Sequence, residues 1–98
     1  MDLYVIRRRS GWGSPEELQE AAERSRQVGD EEMSSDIRWI RSYVVTESDG
    51  SLGTICIYQA SSPDKIREHA ERAGLPATDI FEVVDTVVVR EDPVTVAA

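Results

Sequence analysis

With 98 residues, 19 acids, 11 bases and a formal net charge of −8, the chain lacks the surplus of clustered Lys and Arg that a duplex or an anionic membrane attracts. Neither nucleic acid nor membrane is an expected partner. A lone cysteine, Cys56, excludes an internal disulfide framework, and no apolar run approaches the ~18 residues of a membrane span.

The expectation from length is one domain over residues 1–98. The start, Met1-Asp2-Leu3, shows no basic-then-apolar leader pattern, so a reducing cytoplasmic setting is expected. Leu3 to Arg9 reads as a strand. Its alternation puts Arg7 and Arg9 on one face and Arg8 on the other; Arg7-Arg8-Arg9 is either a solvated strand end or an anion-steering lip. Ser10-Gly11-Trp12-Gly13 reads as a loop, in which Trp12 is a core-edge cap or a movable lid. Ser14, Pro15 and Glu17 supply the N-cap, first position and capping box of a helix. Leu18, Ala21, Ala22, Ser25 and Val28 share its apolar face, and Gly29 is its expected C-cap. Asp30 to Asp36 reads as an acidic connector with no defensible metal-loop spacing.

Ile37 to Thr46 is the second expected strand. Asp49-Gly50 marks a hairpin leading to a third over Gly53 to Ala60. A second helix follows, capped by Ser62, begun by Pro63 and stopped by Gly74, with Ile66, Ala70 and Ala73 as its apolar stripe. Asp79 to Val89 is the fourth expected strand, and residues 90–98 a tail with a short extension at Val94 to Val96. The order βαββαβ around a central hairpin is the ferredoxin-like α+β pattern: a four-stranded antiparallel sheet with two helices on one face. Both faces of the strands carry apolar residues, and two helices cover only one, so the other is expected to pack on an identical chain as a homodimer.

Strict alternation in the second strand places Trp39, Arg41 and Tyr43 together. A charge between aromatics on a buried face needs an anionic partner: an Asp or Glu of a neighbouring strand or the other chain, or a ligand carboxylate or phosphate. His69, the only histidine, borders the second helix's buried stripe. It is either a satisfied structural residue, a metal ligand or a general acid-base. Tyr58 and Cys56 share a side of the third strand; the thiol reads as a small buried hydrophobe.

The runs Trp39-Ile40-Arg41-Ser42-Tyr43, Cys56-Ile57-Tyr58-Gln59-Ala60, Ile66 to Ala77 and Ile80-Phe81-Glu82-Val83 resemble a family of small bacterial domains of unknown function labelled nickel-binding-protein-like. The most specific piece is His69 to Ala77, His-Ala-x-x-Ala-Gly-x-Pro-Ala. The resemblance implies a ferredoxin-like homodimer and nickel as the metal, with His69 the one matching imidazole. Three readings of function follow. One is a binding module for nickel or a small anionic ligand near His69, with Trp39, Arg41, Tyr43 and Tyr58 as ligand-binding residues. The alternative is a cofactor-free dimeric enzyme doing proton transfer or oxygen chemistry with His69, Tyr58 and Arg41. The third is a subunit that binds another protein through its sheet.

Overall fold

A computed structural model of the protein describes residues 1–93; the extension expected at Val94 to Val96 lies outside them. The elements in order are strand β1 (Asp2–Trp12), helix α1 (Pro15–Gln27), a π-helical turn (Val28–Glu32), strands β2 (Ile37–Thr46) and β3 (Leu52–Ala60), helix α2 (Pro63–Ala73) and strand β4 (Asp79–Glu82). The sheet is antiparallel throughout, in the order β2-β3-β1-β4. This α+β arrangement, with two helices on a four-stranded sheet, is consistent with the ferredoxin-like pattern expected from the sequence. No helix among the described residues is long and apolar enough to cross a membrane.

The written caps form. The Ser14 hydroxyl accepts from Glu17 N at 3.3 Å, and the Ser62 hydroxyl from Lys65 N at 3.3 Å. The Glu17 carboxylate reaches one residue further back than a standard capping box and accepts from Gly13 N at 2.9 Å. Asp49 Oδ1 accepts from Ser51 N at 2.9 Å, and Gly50 takes φ 86°, which fixes the hairpin. Gly74 closes α2 at φ 70°.

Four expectations are corrected. Gly29 does not cap α1: the chain widens into the π-turn, with Met33 N donating to Val28 O at 3.0 Å. Asp30, Glu31 and Glu32 therefore belong to this turn rather than to an open connector. Trp12 ends β1 and is buried, because two extra residues bulge out between Arg8 (opposite Thr54) and Trp12 (opposite Leu52). β4 stops at Glu82, not Val89: it pairs with β1 from Arg7↔Asp79 to Tyr4↔Glu82. Val83 N then reaches Leu3 O at 2.8 Å, and β1 has almost no residues left to pair with. Val84, Val87, Val88 and Val89 are consequently exposed.

The fourth correction concerns β2. Trp39 pairs with Tyr58 but Arg41 with Ile57, so an extra residue, Ile40, bulges out of register. Since the side-chain period is two, one inserted residue inverts every later position. Trp39 thus faces the helices, as Ser42 and Val44 do, whereas Arg41 and Tyr43 lie on the outer face. The main core sits under α2 and the π-turn, where Ile66, Ala73, Val28 and Met33 meet Tyr4, Ile6, Ile37 and Tyr58.

Candidate functional site

Helix α1 presents small side chains to the sheet. Ala21, Ala22 and Ser25 stand opposite Trp39, Cys56 and Tyr58 of β2 and β3, and the gap between them is a cavity of about 260 Å³. Leu18, Trp12 and Leu75 extend its apolar wall. Well-packed domains leave few voids larger than a water molecule, so a space this large between a helix and its sheet is a candidate binding site.

Arg8 lines this cavity and is the largest fully buried side chain, at 1 % exposure. It is the third member of the inward row Tyr4, Ile6, Arg8 on β1. Its Nη1 donates to Pro76 O at 2.6 Å, and its guanidinium lies 5.8 Å from the centroid of the Tyr58 ring. The Leu75-Pro76-Ala77 turn thereby has a structural role, since it supplies the carbonyl that anchors Arg8. Among the described residues Nη2 is buried without a hydrogen-bond partner, and no carboxylate pairs with this guanidinium.

Tyr58 is held on all sides. Its hydroxyl and Ser25 Oγ are 2.8 Å apart, and its ring stacks on Trp39 with centroids 6.0 Å apart. Burial raises the phenol above its ordinary pKa. Cys56 also lines the cavity, its thiol donating to Thr54 Oγ1 at 3.2 Å.

His69 is fully enclosed behind this wall. Its Nε2 lies 3.0 Å from Ser25 O; a carbonyl only accepts, so Nε2 carries the proton. Nδ1 is buried without a partner among the described residues, and the ring lies tilted against Tyr58 at 5.3 Å. Burial, more than any other influence, lowers the imidazole pKa. A group whose folded pKa lies below its unfolded value contributes its full stability above the unfolded pKa, about 6.5, and loses it as pH falls. Wild-type stability is therefore expected to drop between about pH 7.5 and 5 more steeply than that of His69→Gln, by at most about 1.4 kcal/mol per pH unit. Urea titrations of the two proteins measure the difference, and parallel pH profiles would contradict a buried neutral His69.

The residues proposed from sequence divide between two places. Trp39 and Tyr58 lie on the cavity wall, while His69 sits behind Tyr58 and does not line the cavity. Arg41 and Tyr43 are on the outer face, where the chain after β4 folds back. There Arg41 Nη1 lies 2.7 Å from Asp92 Oδ2, which also accepts from the Tyr43 hydroxyl. These two hydrogen bonds, Tyr43's first, lower the Asp92 pKa. The anionic partner that Arg41 required is thus a carboxylate of its own chain. Sequence reasoning names Arg8 only within the Arg7-Arg8-Arg9 run, as a solvated strand end or an anion-steering lip; what it misses is that Arg8 is buried, although its parity with Tyr4 and Ile6 is a signal that could find it.

A family model described as nickel responsive protein SCO4226-like matches residues 4–83. The chain belongs to this family. The crystal structure of SCO4226 from Streptomyces coelicolor A3(2) is similar at TM-score 0.69 and 19% identity, covering 87% of this chain and 99% of that one; at this identity the likeness speaks for the fold. No curated protein matches the chain.

The family's description raises nickel, and one chain's donors do not fit it. Among the described residues no group of three or more His, Cys, Asp and Glu side chains is placed to hold a metal ion. The single imidazole is enclosed, with one nitrogen bonded to a backbone carbonyl. A nickel ion needs several converging N, O or S donors, and a second copy cannot supply them to a ring with no exposed surface.

Proposed function

We propose that this member of the nickel responsive protein SCO4226-like family is a small-molecule binding protein whose ligand enters the cavity between α1 and the sheet. The observation that carries this reading is the cavity itself: about 260 Å³, walled by Trp12, Trp39, Tyr58 and Leu75. An apolar cavity of ~150 Å³ accepts a benzene-sized molecule, which scales to about ten non-hydrogen atoms here. The enzyme alternative finds less support, because His69 and Tyr58 do not share a cavity wall. Both tryptophans of the chain line the site, which makes them reporters. Iodobenzene, a compact heavy-atom quencher, is expected to quench their fluorescence saturably at submillimolar concentration. Quenching that stays linear with concentration would contradict a binding site.

The same proposal makes the protein a homodimer. Val84, Val87, Val88 and Val89 are 73 to 93 % exposed beside an outer sheet face carrying Ile40 and Tyr43, and apolar surface gathered in this way favours a partner. Light scattering at micromolar concentration is expected to give twice the chain mass, 22 kDa from 11.0 kDa per chain; a monomer would remove this half of the proposal.

A further inference from the structure

The cavity's chemistry is not uniform. Of its polar groups, Ser25 is engaged with Tyr58, Ser42 Oγ with Trp39 Nε1 at 2.8 Å, and Thr54 with Cys56; the exposed Gln19 amide and the Trp12 indole also line it, and Arg8 is its one cationic group. Arg8 differs. It carries a fixed positive charge, is 1 % exposed, and holds one terminal nitrogen with no hydrogen-bond partner among the described residues. Its other terminal nitrogen is anchored to Pro76 O, which fixes the guanidinium at the cavity wall; the unpartnered nitrogen is itself covered, so the wall has to give way locally for an anion to reach it. A buried charge without an ion-pair partner is costly, and an anion brought into the same apolar space would offset that cost.

Resting on the small-molecule reading above, we infer that the cavity selects a compact monocarboxylate, with its carboxylate on Arg8 and its apolar body against the Trp39–Tyr58 stack. A single guanidinium edge suits one negative charge. A dianionic phosphate ester would bring a second negative charge that no other cation at the wall matches. The space of about ten non-hydrogen atoms limits the body to a single ring or a short branched chain. The aromatic wall of Trp12, Trp39 and Tyr58 favours an apolar ring. Arg8 is thus the anchoring residue and the acid-specific element of the site.

The test compares phenylacetate with phenylacetamide, which has the same shape and no charge. Each is titrated into the full chain while tryptophan fluorescence is followed. Phenylacetate is expected to bind at least tenfold more tightly than the amide. Arg8→Gln is expected to erase that preference, and Arg8→Lys to keep part of it. Equal affinity for acid and amide in the wild type would overturn the carboxylate inference while leaving the cavity as an apolar site. If neither compound binds and iodobenzene quenching is also linear, the small-molecule reading itself falls. Should Arg8→Gln fail to fold, the wild-type acid-to-amide ratio alone decides.

Discussion

Gly53→Ala is expected to destabilise the fold by about 2–3 kcal/mol, a large effect for one methyl group. Gly53 lies on β3 opposite the bulge between Arg8 and Trp12. A methyl group there would stand 2.7 Å from Arg8 O and 2.8 Å from Arg7 Nη1. The first of these is backbone and cannot swing aside. The same corner holds Ser10 at φ 48°, an uncommon value for a non-glycine residue. Glu47 secures it by accepting from Ser10 N at 2.8 Å and pairing with Arg7. The Ser10 amide, then Arg7, holds the Glu47 carboxyl below its ordinary pKa. This corner returns Trp12 to the cavity wall, so the variant should also expose Trp12. Gly29→Ala is the control: its nearest contacts, 3.6 Å to Ile37 and 3.7 Å to His69, are ordinary, and a change below about 1 kcal/mol is expected. Urea unfolding of both variants decides, and equal effects would show that the corner relaxes freely.

Filling the cavity should separate binding from folding. Ala21 is buried on α1 and lines the cavity. Ala21→Leu adds three carbons to space that is otherwise open. Each buried methylene contributes about 0.8 kcal/mol, offset in part by side-chain ordering, so stability is expected to hold or rise by about 1 kcal/mol. Leucine also exceeds valine or serine in helix propensity and costs little against alanine. Iodobenzene affinity is expected to fall at least tenfold. The same substitution in a fully packed core would do the opposite, lowering stability by about 1–3 kcal/mol through overpacking. That loss of stability, or quenching unchanged from wild type, would argue against the cavity. Ala22→Leu, one position on and also at the cavity wall, provides the second variant if the first does not fold.

The element order, both helix starts, the Asp49-Gly50 hairpin and the α2 stop at Gly74 are legible because each is written in local residue chemistry. What the sequence hides is set by pairing between distant segments. The bulge at Ile40 leaves no local mark, yet it moves Arg41 and Tyr43 away from Trp39 and breaks up the expected ligand group. The end of β4 depends on where β1 begins, at the opposite end of the chain, because beyond Tyr4↔Glu82 only Asp2 and Leu3 of β1 remain. The valines that follow would themselves suit a strand. Arg8 is hidden by its neighbours: Arg7-Arg8-Arg9 looks solvated as a run, whereas alternation already sets Arg8 in the row of Tyr4 and Ile6. The small residues of α1 are readable as its inward face; that they leave a cavity depends on the aromatic partners opposite.

The most direct measurement is a proton–nitrogen NMR spectrum recorded while toluene is added to the protein. Binding in the cavity would shift the indole N–H signals of Trp12 and Trp39 and the amides of α1 between Leu18 and Ser25 together, and these shifts would saturate. Shifts centred instead on Ile40, Tyr43 and Ile57, the outer sheet face, would contradict it, as would a spectrum that does not change.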